Sequence, residues 1–424
     1  MKVLQLNQTF RYGGSTGRIV YELLCSQLQV GIDGFVIYGY SDGEPEDAHA
    51  FCLQRNILRR KLNILRTRLF DHHGFYNEAE TANLIQWMDE LKPDIIHLHN
   101  IHNHYVHVGR LFEYIRKHNI PVVWTLHDCW SFTGHCVYFD FSQCDKWKTQ
   151  CHNCSSLHDY PPTWFFDRTT RNYEDKKVAF AGVANLTLVT PSRWLAGLAR
   201  ESFLRDYPVI AINNGVDINM FCPHKSGIKE QLGIGSKKML LAMAAIFERR
   251  KGTQYLQQLP ELLTDNEVLV LVGLSEEQKK QFSKNRCIGL GRTNSVEELA
   301  EYYSAADVFI NPTLEDNFPT TNIEALACGT PVVTFETGGS VESVLDGEEA
   351  SVVDGITYSS VGAVVPKSDV NAMLRAVREI IANGKTTYSE ACRKKAEERY
   401  DKDKQYLKYI ELYNEIYAKS ERII

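Results

Sequence analysis

Residues 308–333 read VFINPTLEDNFPTTNIEALACGTPVV, and the order of segments within them indicates the fold class of the chain. The apolar run at 308–311 predicts a strand, a loop ending in Phe-Pro follows it, and a helix then leads to a second apolar run at 331–335. Strand, helix and strand in this order form a βαβ unit, whose two strands lie parallel in one sheet. The stretch therefore predicts an α/β protein with parallel sheets.

Short apolar runs alternate with helical patterns in both directions along the 424 residues. This alternation predicts two successive doubly wound, Rossmann-like sheets. We predict a first domain at 1–207 with a cysteine-rich insertion at about 129–160, a second domain at 208–400, and a helix at about 401–424 that packs back on the first. The predicted strands are 3–6, 34–38, 94–98, 121–126, 187–189 and 209–212, then 239–246, 268–272, 287–290, 308–311, 331–335 and 362–365.

The composition is that of an ordinary folded protein, with 44% hydrophobic and 24% charged residues. A net charge of −6 argues against a nucleic-acid partner, because phosphate neutralisation needs a basic surface. The first residues read directly into a strand, and no apolar run in the sequence reaches transmembrane length. We expect a cytoplasmic protein, at most in peripheral contact with the inner face of the membrane.

Two carboxylates, Asp316 and Glu324, bracket the start of the predicted helix. Ligands of open parallel sheets bind outside the carboxyl ends of the strands, so we expect the active site in a cleft where the two sheets face each other. The free backbone N–H groups near Thr320, Thr321 and Asn322 can hold a diphosphate. One carboxylate can accept hydrogen bonds from ribose hydroxyls and the other from a sugar, which suits a nucleotide sugar.

The segment resembles the E-x7-E signature of retaining glycosyltransferases of family 4, in the acidic-Asn-Phe-Pro form that ends at Phe318 and Pro319. The resemblance implies a GT-B fold of two Rossmann-like domains. It also implies that Glu324 binds the ribose and that Asp316 contacts the sugar hydroxyls of the donor. Glu315 precedes Asp316, and either acid could hold the sugar, although the spacing favours Asp316. An ordinary amphipathic helix would explain the acids alone, but not the whole string.

A basic turn follows the first strand of the second sheet and ends at Lys251. A cation at this place can neutralise the diphosphate as it leaves. Members of the resembled family carry an arginine five residues before this lysine, where this chain has Ile246. Arg250 or Arg249 can take that role, and the alternative is a solvated basic turn.

Three weaker motifs fit the same site. Gly13 and Gly14 open a helix after the first strand and let the backbone approach a phosphate or a sugar. His127 follows a strand, and the resemblance implies its hydrogen bond to the donor sugar; a structural histidine is the alternative. Gly291 and Arg292 match the family pattern for backbone recognition of the base.

The resemblance implies a function. We expect a retaining transferase that moves a sugar from an NDP-sugar, for example a UDP-sugar, to a saccharide or lipid-linked saccharide during cell-surface polysaccharide biosynthesis. No Asp-x-Asp motif lies in a suitable strand-end loop of the sequence, so we expect no catalytic metal and no cofactor. A nucleotide-sugar 2-epimerase of the same fold and a non-catalytic sugar-nucleotide binder are the alternatives.

Five of the eleven cysteines fall between 129 and 154. Four of them end in a C-x-x-C pair and can surround a structural Zn²⁺. Free thiols in a packed insertion and disulfides are the alternatives. The four cysteines are Cys136, Cys144, Cys151 and Cys154, with Cys129, His135 and His152 as substitute ligands.

A basic segment at 55–70 contains six cations and no acid. Its apolar residues recur at helical spacing, which suits a helix that lies on an anionic membrane or holds a lipid-diphosphate acceptor. An amphipathic helix packed on its own sheet is the alternative. The apolar residues are Ile57, Leu58, Leu62, Leu65 and Leu69.

Overall fold

The computed structural model of the chain describes residues 1–11, 14–41, 47–54, 56–283 and 286–421. Gly13, and residue 55 of the basic segment, lie outside the described residues. The chain divides into two units, Met1–Ile212 with Tyr406–Ile424, and Asn213–Gln405. The strand at Val209–Ala211 pairs with the strand at Leu186–Thr190, and for this reason the first unit extends beyond the predicted boundary at 207.

The first unit is built on a seven-stranded sheet. Its strands are β1 (Lys2–Asn7), β2 (Asp33–Tyr38), β3 (Ala50–Cys52), β4 (Ile95–Leu98), β5 (Val122–Thr125), β6 (Leu186–Thr190) and β7 (Val209–Ala211), and its first six helices are α1 (Gly14–Gln29), α2 (Ile57–Phe70), α3 (Glu78–Leu91), α4 (Val108–His118), α5 (Thr169–Phe180) and α6 (Arg193–Glu201). The order is β3-β2-β1-β4-β5-β6-β7, and every pairing is parallel. Only β3, a three-residue edge strand, was not predicted.

The second unit is built on an eight-stranded sheet. Its strands are β8 (Lys238–Met243), β9 (Glu267–Val272), β10 (Cys287–Leu290), β11 (Val308–Asn311), β12 (Val332–Phe335), β13 (Ser351–Val353), β14 (Ile356–Ser359) and β15 (Gly362–Val365), and its helices are α7 (Ile228–Gln231), α8 (Thr253–Leu262), α9 (Glu276–Phe282), α10 (Val296–Ala305), α11 (Thr320–Ala327), α12 (Ser340–Leu345), α13 (Val370–Asn383) and α14 (Lys385–Lys395), followed by a π-helical turn (Ala396–Tyr400). The order is β10-β9-β8-β11-β12-β15-β14-β13.

The antiparallel hairpin of β13 and β14 was not predicted. Its turn is Asp354-Gly355, with φ angles of 50° and 76°. An Asp-Gly pair with positive φ at both residues is the typical two-residue hairpin turn, so the signal was present in the sequence. The strand predicted at 239–246 ends at Met243, because the chain then leaves the sheet towards the basic turn.

Both sheets reverse their strand order at the same topological place. The neighbours of β1 are β2 and β4, and the neighbours of β8 are β9 and β11. A crevice forms outside the carboxyl ends of the strands at such a switch point, and ligands of doubly wound sheets bind there. The chain places Gly14 after β1, Lys251 after β8 and Asp316 after β11.

The last helix, α15 (Lys402–Glu421), packs in the core of the first unit. Tyr406, Tyr409 and Tyr413 are buried there, and the Tyr413 hydroxyl lies 2.6 Å from Nδ1 of His97. Burial of each large side chain stabilises the unit by about 1.5–3 kcal/mol. The helix is therefore an integral part of the first unit, although the second unit precedes it in the chain.

Candidate active site

The helix α11 has an open amino end. It begins after Pro319, which makes no side-chain capping bond. Thr320 and Thr321 are half-buried, whereas the rest of the helix is buried. The Asn322 amide donates to the Pro319 carbonyl at 3.2 Å. Because the first N–H groups of a helix lack intrahelical acceptors, this end can bind an anion.

Lys251 and Asp316 form an ion pair beside this helix end. Their Nζ and Oδ2 atoms are 2.5 Å apart, and the side chains are 26% and 11% exposed, so a ligand can reach them. The turn and the loop meet because β8 and β11 are neighbours. Gly252, with φ 73°, is required between them, since a Cβ atom there would lie 1.9 Å from the carbonyl oxygen of Pro312.

Glu324 lies further along α11 and is held by a buried tyrosine. Its Oε2 atom accepts a hydrogen bond from the Tyr303 hydroxyl at 3.0 Å. Glu324 is 5% exposed and Tyr303 is fully buried. A buried carboxylate is costly unless it is hydrogen-bonded, so Tyr303 both stabilises and orients it. The sequence had given no indication of Tyr303, because its partner is 21 residues away.

Arg250 links the basic turn to the loop between β11 and α11 through hydrogen bonds. Its Nε atom donates to Glu248 at 3.0 Å, and its Nη1 atom donates to the backbone carbonyl of Glu315 at 3.2 Å. The Arg250 carbonyl in turn accepts from the Leu314 amide at 2.8 Å. Lys251, and not Arg250, is therefore the cation that meets Asp316.

The loop after β8 also receives Arg292. The Arg292 Nη2 atom donates to the Ala245 carbonyl at 3.0 Å. Ile246, next in that loop, is 64% exposed. Gly291 lies close to Lys279, whose Nζ atom would be 2.9 Å from an added Cβ. The structure thus brings the Gly291-Arg292 pair to the loop that leads to Lys251.

The side chains of Asn322 and Phe318 are buried and contact other residues of the second unit. The Asn322 Nδ2 atom donates to Ser340 at 3.0 Å, and its Oδ1 atom accepts from Asn311 at 2.8 Å. Phe318 is 3% exposed, and its ring meets that of Tyr400 at 5.6 Å. Both side chains are occupied, so the backbone is what these positions can offer to a ligand.

A glycine loop at 338–339, which was not predicted from the sequence, adjoins Asp316. The Gly339 amide donates to the Asp316 carbonyl at 3.1 Å, and Gly338 has a φ of 47°. The Thr337 hydroxyl is buried, and it has no hydrogen-bond partner in the described part of the chain. The signal was a Gly-Gly pair shortly after an apolar strand, at the carboxyl end where ligands bind.

In the first unit, His127 follows β5. Its Nε2 atom lies 3.1 Å from Nδ1 of His99. Burial lowers the pKa of His127 to about 4, so the ring is neutral at pH 7. The next residue, Asp128, lies 2.8 Å from Nε2 of His102. These loops meet because β4 and β5 pair directly. The second pair was not predicted from the sequence.

Gly14 is the first residue of α1 and is exposed, with a φ of 82°. A Cβ atom there would meet nothing within 4 Å, so the backbone is open to a ligand. Gly13 lies outside the described residues, and its predicted role stays a prediction.

The four cysteines predicted to bind zinc line one small pocket, together with Phe139 and Trp147. The Gly134 amide donates to the Cys151 sulfur at 3.2 Å. A hydrogen bond from Cys136 lowers the pKa of Cys154 to about 7. None of the eleven cysteines, all of which are described, forms a disulfide bond. Within the described ranges, no three His, Cys, Asp or Glu side chains are arranged to hold a metal ion.

Solved structures share this architecture. Sucrose-phosphate synthase from Thermosynechococcus elongatus has a TM-score of 0.70 at 18% identity, covering 99% of this chain and all of that one. HepE of Anabaena in complex with UDP has a TM-score of 0.66 at 18% identity, covering 98% of this chain and 100% of that one. WaaG, a glycosyltransferase involved in lipopolysaccharide biosynthesis, has a TM-score of 0.62 at 15% identity, covering 97% and 99%. The fold is that of the GT-B glycosyltransferases.

Sequence comparisons narrow this class. Residues 13–220 match the family described as Glycosyltransferase Family 4, and residues 237–383 match Glycosyl transferases group 1. WcaC of Escherichia coli K12, named for a glycosyl transferase of colanic acid biosynthesis, is 27% identical over 81% of this chain and 85% of its own length. A D-inositol 3-phosphate glycosyltransferase of Arthrobacter is 32% identical over 33% of this chain and 37% of its own length. The chain belongs to glycosyltransferase family 4 and is an enzyme of GT-B type.

Proposed function

We propose that this glycosyltransferase moves a sugar from an NDP-sugar to a hydroxyl of a saccharide or lipid-linked saccharide, with retention and without a catalytic metal, in cell-surface polysaccharide assembly. The observation that carries the proposal is the Lys251–Asp316 pair beside the open end of α11, with Glu324 on the same helix. The relation to WcaC supports the polysaccharide product, and HepE structures with UDP and UDP-glucose support a UDP-sugar donor.

Lys251 and the amino end of α11 bind the diphosphate. A lysine ammonium has three N–H donors, so Lys251 can keep its bond to Asp316 and still donate to phosphate oxygens. Negative charge grows on the diphosphate as the sugar leaves. A fixed cation and an oriented helix end therefore stabilise the transition state more than the bound donor. They supply the charge stabilisation for which other transferases use a divalent ion.

The carboxylates orient the donor. Asp316, held by Lys251, accepts hydrogen bonds from hydroxyls of the transferred sugar, and Glu324, held by Tyr303, accepts from the ribose. His127 is neutral at pH 7 and exchanges an uncharged hydrogen bond with a sugar hydroxyl. Fixing the sugar in this way lowers the entropy cost of reaching the reactive geometry. The acceptor hydroxyl attacks the anomeric carbon on the same face on which the bond to the diphosphate breaks, so the anomeric configuration is retained.

A thermal-shift panel of UDP-, GDP- and ADP-sugars tests the donor site. The preferred donor should stabilise the wild-type chain, and Glu324→Gln should abolish most of that shift. The matched control is Glu261→Gln, an exposed acid on α8, which should behave as wild type. An equal shift in Glu324→Gln and wild type would remove Glu324 from the site.

Product analysis tests the reaction. Nuclear magnetic resonance of the transferred sugar should show the anomeric configuration of the donor. Turnover of the donor sugar to a 2-epimer without acceptor would instead establish an epimerase. EDTA should leave the initial rate unchanged while the cysteine segment stays folded, and loss of the rate under that condition would contradict metal independence.

A structural zinc ion at Cys136, Cys144, Cys151 and Cys154 is a further proposal. Between the short 3₁₀ turn Trp130–Phe132 and α5, the only regular element is the 3₁₀ turn Lys146–Lys148, and every residue there is described. Such a segment gains little from backbone hydrogen bonding, so a tetrahedral metal would hold it together. The shared pocket and the amide bond to Cys151 support this. The four thiols would have to move closer together to hold the ion, because the described side chains are not arranged around a metal site.

Contact with the inner face of the cytoplasmic membrane is the last part of the proposal. It rests on the basic segment predicted at 55–70, of which residues 56–70 are described. A lipid-linked acceptor would be reached at that surface. The helix α2 and its surroundings would make this contact. The contact does not depend on the transfer reaction.

A further inference from the structure

The helix α2 turns its apolar side outward. Ile57 is 66% exposed, Leu58 is 78% exposed and Leu62 is 55% exposed. The residues that α2 buries are polar, Asn63 and Thr67. The alternative that these leucines pack on the helix's own sheet is therefore wrong, because the helix rests on its polar side.

Polar contacts hold the helix in this orientation. The Asn63 side chain donates to the side-chain carbonyl of Asn77. The Thr67 hydroxyl lies 3.3 Å from Nδ1 of His104 and donates to the Asn63 carbonyl at 2.8 Å. Buried hydrogen bonds are costly to break, so the helix cannot simply roll to cover its leucines. The exposed apolar side is a fixed feature of the first unit.

An aromatic loop extends the same surface. Trp164 is 46% exposed, Phe165 is 71% exposed and Phe166 is 55% exposed. The Trp164 amide donates to the Arg68 carbonyl at 2.7 Å, and the rings of Phe166 and Phe70 stack at 5.8 Å. We call α2 and residues 164–166 the amphipathic surface. Contiguous exposed apolar groups of this kind mark an interaction site.

The amphipathic surface is positively charged in a chain whose net charge is −6. The helix carries five cations and no acid. One of them pairs with Glu80 at 3.1 Å, while three others lie over aromatic rings and keep their charge. The cations are Arg59, Arg60, Lys61, Arg66 and Arg68.

We propose that the amphipathic surface lies on a bilayer of anionic phospholipids, with its leucines and aromatic rings at the headgroup boundary and its cations against lipid phosphates. Basic helices with an exposed apolar side and Trp or Phe nearby bind anionic bilayers in this way. A second copy of the chain is a poor occupant, because a two-fold contact would place like charges together. No helix among the described residues has the length and hydropathy to cross a membrane.

Co-sedimentation of the full chain with vesicles tests the proposal. One set of vesicles contains phosphatidylcholine alone, and the other contains about one-third phosphatidylglycerol. Binding to the anionic vesicles should be at least about tenfold stronger and should weaken at high salt. Equal binding to both vesicles, or binding to neither, overturns the proposal.

Two variants and two matched controls assign the binding to this surface. Leu58→Glu with Leu62→Glu, and separately Lys61→Glu, should each weaken binding to anionic vesicles by about tenfold or more. The controls Val178→Glu and Lys177→Glu lie exposed on α5 of the same unit and should bind as wild type. All variants change exposed residues, so their melting temperatures should match wild type.

The oligomeric state separates a bilayer from self-association. Light scattering should give the same mass for wild type and for Leu58→Glu with Leu62→Glu. A wild-type dimer that this pair of substitutions converts to a monomer, with vesicle binding unchanged, would overturn the proposal. Because no donor or acceptor enters these measurements, their outcome is independent of the proposed transfer reaction.

Discussion

The two units share one strand topology but use their buried polar residues differently. Thirteen of the fourteen histidines belong to the first unit, and His224 is the exception. Buried histidines such as His97 and His99 have a pKa far below the ordinary value, because burial disfavours the charged ring. The end of the first unit's sheet therefore holds neutral histidines, with Asp128 as the carboxylate beside His102.

In the second unit, the corresponding strand ends carry paired charges. Lys251 meets Asp316 where the chain leaves β8 and β11. The same scaffold thus supports a histidine network in one unit and a lysine–carboxylate pair in the other. The residues at the strand ends, and not the topology, set what each unit can bind.

Removal of the cation from the second unit should have the largest effect. We expect Lys251→Met to lower the turnover rate by at least about a hundredfold, because it removes charge stabilisation of the leaving diphosphate. The initial rate of nucleoside diphosphate release measures it. Lys280→Met, an exposed lysine on α9, is the control and should retain wild-type turnover. A rate for Lys251→Met near that of the control would contradict the assigned role.

A zinc ion bound by the cysteine segment should distinguish the first unit from the second. Protein purified without chelator should contain about one equivalent of zinc, and Cys151→Ser with Cys154→Ser should lose it and melt about 10 °C lower. Elemental analysis and calorimetry provide the two measurements. Cys25→Ser, in α1 of the same unit, should keep the metal. Less than half an equivalent of zinc in the wild type would count against the site.

Acid should destabilise the first unit before the second. Burial lowers the pKa of His72, His104 and His127 from 6.5 to about 4 in the folded chain. Between these values the unfolded chain binds more protons, so this stability is present above pH 6.5 and is lost as the pH falls towards 4. We expect the first unit to melt roughly 5 °C or more lower at pH 5 than at pH 7. Calorimetry with and without nucleotide identifies each transition, and an equal shift of both units would contradict the contrast.

The smallest effect in the second unit should come from removing the Tyr303 hydroxyl. Tyr303→Phe removes the hydroxyl that orients Glu324, and we expect nucleotide affinity to fall about fivefold. Isothermal titration with the preferred nucleotide measures this. Tyr302→Phe, the buried neighbour on the same helix, is the control. Equal affinities in the two variants would show that Tyr303 only packs.

Local sequence patterns were enough for most of the fold. Continuous apolar runs predicted all but three of the fifteen strands that the described residues form, because strands buried on both faces need apolar residues throughout. The exceptions were the edge strand β3 and the hairpin of β13 and β14. The short acidic string at 316–324 was likewise sufficient to predict the family, and the comparisons confirm it.

Contacts between distant segments could not be predicted in this way. Nothing near Glu324 in the sequence indicates Tyr303, and nothing near Asp316 indicates the glycines at 338–339. The side of α2 that faces solvent was also open, because an amphipathic pattern shows that a helix has two sides but not which one is buried. In this helix the hydrogen bonds of Asn63 and Thr67 decide it.

The sequence by itself determined the alternation of strands and helices, the glycosyltransferase family and the acids and lysine of the proposed donor site. Those properties depend on residue type and local spacing. Only the folded chain shows that Lys251 and not Arg250 meets Asp316, and that the leucines of α2 face outward. Each of these outcomes depends on which distant segments pack together, and packing is a property of the whole chain.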